Sequence, residues 1–241
     1  MKHRVCTHLR HWEQQQIPGG ALEVTWTSDC FGPVQVATLG HALDWLNRPT
    51  LPLFSRVGER GMTGAERMTE IGKDALNIRR ASAADAPAVL GLFDEVIEWF
   101  VSIGNVQQWG SEPWSTMPRR IAQVTEACAL PGAWVAQNEQ GDVRAFLALG
   151  ESMPYVPAPT GPELYVRVLV ASRDVRVRGI GRRLMAFADE QARAAGVDHL
   201  RVDCYAGGSG DLVRFYESCG YTRIAPFNVD GWPGMLLGRT L

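Results

Sequence analysis

A mixed α/β fold, one sheet flanked by helices, is what this sequence predicts from about residue 75 to residue 241. Three observations predict it. Short apolar runs with strand-like alternation are separated by segments whose apolar residues recur at helical spacing. Polar, Gly-bearing stretches such as Asn138 to Asp142 join neighbouring runs as hairpins do. Strands alternating with helices and ending in hairpins form a single sheet with helical cover.

The elements follow in order. Leu76 to Arg80 reads as a short first strand. Ser82 can cap a helix with Pro87 near its start, and Val89, Phe93, Val96, Ile97 and Phe100 recur along its apolar face. Ile103 to Ser115 is a loop, and Met117 to Ala129 a second helix ended by Pro131-Gly132. Trp134 to Gln137 and Val143 to Leu149 form the hairpin. Met153 to Pro162, with four prolines, reads as a surface loop. The apolar run Leu164 to Ala171 is a fourth strand, followed by a loop and a helix from Arg182 to Ala195. In Leu200 to Tyr205, Leu200, Val202 and Cys204 alternate as in a fifth strand. A last helix precedes a closing pair of strands, Tyr221 to Ala225 and Met235 to Thr240.

Before a break near Met68 to Asp74 the periodicity is weak. Ala21 to Thr27 could be a strand and Val34 to Leu46 a helix, but Pro33, Pro49 and Pro52 interrupt. Residues 1–67 therefore read as an N-terminal extension, weakly structured or accessory. A segment outside the functional protein is the open alternative.

Composition narrows the classes. The formal net charge of −2 argues against a general nucleic-acid binder. No run approaches 18 apolar residues, so no membrane span is expected. The five cysteines lack paired spacing and the five histidines form no ligand set, so neither disulfides nor a metal is expected. Reduced thiols without a leader-like apolar segment point to a cytoplasmic protein.

The most specific stretch is Arg176-Val177-Arg178-Gly179-Ile180-Gly181-Arg182. Backbone N–H groups at a helix start lack intrahelical partners and attract anions. Gly179 and Gly181 let a phosphate approach the main chain, and three arginines add charge. No Lys follows Gly181 as in a P-loop, and Leu184 stands where a Rossmann loop needs its third Gly. What remains is R-x-x-G-x-G; a Gly-containing turn before an ordinary helix is the plain alternative.

That pattern resembles the acyl-CoA pyrophosphate loop of the GNAT (Gcn5-related N-acetyltransferase) superfamily. Phe215-Tyr216 followed by Gly220-Tyr221 resembles its fourth-helix signature, at the expected distance. The resemblance covers residues 77 to 241. It implies a mostly antiparallel mixed sheet, acetyl-CoA as acyl donor, and direct attack by an amine in a ternary complex. The implied acceptor is a small-molecule amine; a protein or peptide acceptor, or a non-catalytic acyl-CoA-binding module, stays open, as does a homodimer.

The resemblance also distributes roles. Arg176, Val177, Arg178, Gly179, Ile180, Gly181 and Arg182 would hold the pyrophosphate. Val177 stands where the family has a further Gly, tolerable only at negative φ. Backbone of Leu169, Val170 and Ala171 would meet the acyl carbonyl, unless Leu169 and Val170 are only core residues of their strand. Tyr216 would protonate the leaving thiolate, unless its ring only packs, with Leu212, Phe215 and Cys219 expected as that helix's core stripe. For the general base, the family's strand-four Glu is replaced by Arg167; Glu163 is the nearest acid, with Asp203 and Glu98 as alternatives, each otherwise a solvated charge. Trp109, Glu112 and Trp114 could bind an acceptor cation, or the two indoles could pack their loop down.

Overall fold

A computed structural model of the chain describes residues 11–16, 22–27 and 76–241. The described strands are β1 (His11–Gln16), β2 (Leu22–Thr27), β3 (Asn77–Arg80), β4 (Ala133–Gln137), β5 (Val143–Gly150), β6 (Leu164–Ala171), β7 (His199–Tyr205), β8 (Thr222–Val229) and β9 (Trp232–Thr240). The helices are α1 (Ala86–Ser102), α2 (Pro118–Cys128), α3 (Ile180–Ala194) and α4 (Asp211–Ser218). The strands form one sheet in the order β1-β2-β8-β9-β7-β6-β5-β4-β3. All neighbours are antiparallel except β2 with β8 and β6 with β7. The helix expected at Val34 to Leu46 lies outside the described residues.

Helices cover both faces because each carries one apolar stripe. The α1 stripe, Val89, Phe93 and Ile97, packs with α2 residues on Val135 and Phe146 of the hairpin. The α3 stripe, Leu184, Met185 and Ala188, packs on Leu147, Val166 and Val202. The start of α1 is tied to β3. Asp85 accepts the Ser82 backbone N–H at 2.8 Å and pairs with Arg79 at 2.7 Å. The Arg79 guanidinium holds the Asp85 carboxyl below the usual carboxylate range.

Two sequence expectations change. The last two strands are longer than expected, running through Pro226 and Pro233. They meet at a turn in which Asp230 has φ 50° and Gly231 φ 84°, an Asp-Gly hairpin signal legible in the sequence. The Met153 to Pro162 segment is also not simply a surface loop. Met153, Tyr155 and Val156 are buried with Tyr165, Phe227 and Leu236 in a third cluster.

The sheet opens between β6 and β7. In β6 and β7 only Leu164 to Val166 pair with Leu200 to Val202, and beyond that the two strands part. In the β5–β6 ladder Ala148 faces Val168 while Leu149 faces Val166, so Arg167 is the extra residue of a bulge. The bulge changes the face that β6 presents. Leu164 and Val166 pack on the α3 side, and Val168 and Val170 on the α1 side.

Candidate active site

A cleft of about 1350 Å³ runs from the opening between β6 and β7 to the start of α3. Its α3 end is the 176–182 loop. Val175–Val177 forms a 3-10 turn, and Val177 is buried in the core. Asp230 is the one non-glycine residue with positive φ among the described residues, so Val177 has the negative φ its Cβ requires. Gly179 caps α3 in the left-handed region, with φ 91° and ψ −1°. No atom lies within 4 Å of where its Cβ would stand. That combination leaves open space beside the unpaired N–H groups of a helix start, which suits a phosphate. Gly181 has a different role: its Cβ would stand 3.3 Å from the Phe215 ring, so α3 and α4 approach closely there.

The three arginines do not act alike. Arg176 is paired with Asp174 at 2.5 Å. Arg182 reaches α4 and donates to the Ser218 backbone oxygen and, at 2.9 Å, to its hydroxyl. The Arg178 guanidinium makes no hydrogen bond or ion pair among the described residues, while its backbone N–H donates to the Val175 oxygen at 3.3 Å. Arg178 lines the cleft, as do Ile180 and the strand residues Leu169, Val170 and Ala171.

Tyr216 projects from α4 into the same cleft and is only 5% exposed. Burial pushes its phenol well above the ordinary tyrosine value, so it holds its proton at any physiological pH. The buried stripe of α4 is Val213 and Tyr216; Leu212, Phe215 and Cys219, expected as that stripe, are only partly buried. Tyr221 is buried in the core.

Of the other expected site residues, Glu163 and Glu112 stand outside the cleft, while Trp109 and Trp114 line it. Glu163 does not reach the cleft. Its carboxylate forms a two-pronged ion pair with Arg201, one arm at 2.8 Å, and both side chains are at most 10% exposed. Arg201 also donates to the Pro157 backbone oxygen at 2.8 Å, pinning the 151–162 segment. A carboxylate held this way is an anchor and not a free base. Glu163→Gln is therefore expected to cost about 3 kcal/mol of stability by leaving a buried guanidinium without its anion. Scanning calorimetry would read the lowered midpoint, and a pH–rate profile of unchanged shape would accompany it.

The tryptophan pair is also occupied. Trp114 is 1% exposed and stacks on Phe93 with centroids 4.3 Å apart. Arg120 lies over its ring at 4.4 Å, so the protein itself supplies the cation. Trp109 packs edge-on against Phe93 and Phe100. Glu112 is exposed and does not line the cleft. The indoles pack the loop onto α1, and the Trp109–Glu112–Trp114 set is not assembled as a cation site.

Among the described residues three acids line the cleft: Asp174 is paired with Arg176, Asp211 with Arg214, and the third is Asp203. Asp203 sits beside the strand opening and accepts hydrogen bonds from Tyr165 at 2.6 Å and Tyr155 at 3.2 Å. Desolvation pushes its carboxyl up to about 6, although both hydroxyls pull the other way. It is partly open to solvent through the cleft and otherwise enclosed. The solvated surface charge expected from the sequence is not what is found. Glu98 is not among the residues that line the cleft.

Comparison with known proteins decides the family. The model of the acetyltransferase (GNAT) family matches residues 93–221. The chain belongs to that family. A Bos taurus protein named "Probable N-acetyltransferase 14" is 40% identical over 136 residues, covering 50% of this chain and 53% of the relative. The Homo sapiens protein of that name is 37% identical over 129 residues. The chain spans about half the length of the curated relatives it matches. A GCN5-related N-acetyltransferase from Kribbella flavida superposes with a TM-score of 0.51 at 20% identity, covering 69% of this chain and 98% of that one. That likeness shows the GNAT fold. The two sequence signatures lie inside the matched segment: the Gly179 loop and Phe215-Tyr216. No described helix is long and apolar enough to cross a membrane.

Proposed function

We propose that this chain transfers the acetyl group of acetyl-CoA to the amino nitrogen of a small molecule, by direct attack within a ternary complex. The carrying observation is that the Gly179 loop, the free edge of β6 and the Tyr216 phenol line one cleft. The cradle fits the donor: an α3 start open to solvent beside a glycine with φ 91° can take a pyrophosphate, with Arg178 at its side. Acetyl-CoA would supply an activated carbonyl and a thiolate leaving group.

The remaining chemistry is this chain's own. The β6 segment Leu169 to Ala171 has no ladder partner on its β7 side, so its backbone can offer a fixed donor to a developing oxyanion. Tyr216 keeps its proton until the thiolate needs it. A bulge at Arg167 and the parting of β6 from β7 hold the gap open for the acyl chain.

The test is thiol release from acetyl-CoA against simple amines, amino acids, polyamines, aminoglycosides and peptides. Turnover of a small amine supports the reading. Turnover of peptides alone would reassign the acceptor. Tight acetyl-CoA binding without turnover across the panel would make the chain a binding module.

We further propose that residues 1–67 are an appendage and that 75–241 is the catalytic domain. The seven strands β3 to β9 complete the helix-covered sheet, and β2 joins β8 through only Leu22 with Phe227 and Glu23 with Asn228. A 68–241 fragment is expected to be soluble and to bind acetyl-CoA with the full chain's affinity. Its β8 would become an open edge, where pairing between molecules is the hazard. An insoluble fragment, or one without binding in calorimetry, would overturn the boundary.

A further inference from the structure

Leu200, Val202 and Cys204 of β7 pack towards α3 and α4. The alternate residues Arg201, Asp203 and Tyr205 face the other side, where the 151–162 segment packs with Phe227 and Leu236 of the neighbouring β8 and β9. Aromatic rings fill that side. Tyr155 contacts Phe227 at 5.5 Å, Phe227 contacts Trp232 at 6.1 Å, and Trp232 contacts Tyr205 at 5.6 Å between centroids. Gly207 makes room for this wall, since a Cβ there would stand 2.3 Å from the Tyr205 ring. Tyr205 donates to Gln107 at 2.9 Å, which ties the wall to the loop after α1.

Asp203 is the carboxylate at the base of this wall. Two tyrosine hydroxyls occupy two of its roughly four acceptor positions. It forms no ion pair among the described residues. Arg201, on the same face, is engaged by Glu163 and the Pro157 oxygen. An enclosed carboxylate without an internal cation, beside aromatic faces and open to a cleft, suits a cation from outside.

We infer that Asp203 and the wall of Tyr155, Tyr205 and Trp232 form the acceptor subsite. It takes a small primary amine that arrives as an ammonium on an aromatic or apolar body. The Asp203 carboxylate receives the proton that this ammonium must lose. The inference rests on the transferase reading, because only acyl transfer requires the nitrogen to become neutral.

The protons balance. One ammonium N–H bond breaks, its electron pair stays on nitrogen, and an O–H bond forms at Asp203. Nitrogen then bonds the acetyl carbon as the carbon–sulfur bond breaks, and sulfur takes the Tyr216 proton. The second nitrogen proton restores the phenol, and Asp203 returns its proton to solvent. One proton is released per turnover.

Burial raises the Asp203 carboxyl to about 6, so it is largely ionised at pH 7 and loses its charge as pH falls through that value. The groups around it are Tyr155 and Tyr165, which donate to it, Cys204 and Tyr216, whose own titration it opposes, and the Arg201–Glu163 pair. Arg167, at the bulge, acts on the two tyrosines and is itself influenced by Glu151.

The test uses the full chain with and without CoA, titrated calorimetrically with 2-phenylethylamine and with 2-phenylethanol at pH 7.5. The wild type should bind the amine about tenfold or more tightly than the alcohol. Asp203→Asn should erase that preference while leaving the acetyl-CoA dissociation constant unchanged, which also certifies its fold. Amine binding should fade below about pH 6, and Tyr165→Phe should move that fade to higher pH by removing a donor to the carboxylate. Equal binding of amine and alcohol by the wild type, absence of saturable amine binding, or an unaltered preference in Asp203→Asn overturns the inference. Failure of the wild type to bind acetyl-CoA would instead sink the transferase reading, and the amine–alcohol comparison without CoA would still decide the subsite.

Discussion

Tyr216→Phe is expected to lower turnover by about 10²-fold or more while leaving acetyl-CoA affinity nearly unchanged. The substitution keeps the ring that packs on Phe215 and Tyr221 with centroids 5.1 and 6.1 Å away. It removes only the hydroxyl. A phenol held protonated by burial has one service to offer a thiolate, the proton itself, and that service is used only as the carbon–sulfur bond breaks. The loss should therefore appear in kcat and in kcat/KM alike. Its size should shrink with acyl donors whose thiols are more acidic, because a better leaving group needs less protonation. Wild-type turnover in a folded Tyr216→Phe variant would reduce Tyr216 to a core residue of α4.

Gly179→Val is expected to raise the acetyl-CoA dissociation constant by about tenfold or more, which is about 1.4 kcal/mol. Two effects add. The residue has φ 91°, which a β-branched side chain adopts only at a cost of about 1–3 kcal/mol, so the loop should shift towards a negative φ. The space beside the α3 start, now without an atom within 4 Å of the Cβ position, would also be filled. Gly179→Ala carries the first effect with much less of the second, so the difference between the variants measures how closely the anion approaches. Calorimetry with acetyl-CoA reads both. Unchanged affinity in a folded Gly179→Val protein would remove the pyrophosphate assignment. Gly181→Ala is a useful contrast, since it presses on Phe215 at 3.3 Å and should act through the α3–α4 contact.

Where the sequence anticipated the site, the signals were local. Gly179 stands where a strand, a turn and a helix start coincide within a dozen residues, and backbone sterics alone require glycine there. Tyr216 stands on one short helix, at a fixed distance from the Gly220 that follows its end. Val177 was a doubtful position in the sequence, and the 3-10 turn accommodates it by keeping φ negative. Where the sequence misled, the deciding partner lay far along the chain. Glu163 is next to β6 but is claimed by Arg201, 38 residues later. Trp114 sits in a loop, yet α1 and Arg120 on α2 enclose it.

Asp203 marks the boundary most clearly. Alternation along β7 determined that it faces away from Leu200, Val202 and Cys204, and in an open sheet that would mean water. Only the tertiary structure packs the 151–162 segment on that face with Phe227 and Leu236 of the neighbouring strands and brings Tyr155, 48 residues away, to its carboxylate. By itself the sequence determined the order of strands and helices from residue 76 onwards, the glycine-bearing loop at α3 and the family they denote, because these depend on periodicity and on steric limits within a few residues; the strand at His11–Gln16 was not legible, since its residues are mostly polar without alternation. Solvation, ion pairing and the meeting of distant side chains belong to the folded chain, because each is set by what a second, remote segment excludes or supplies.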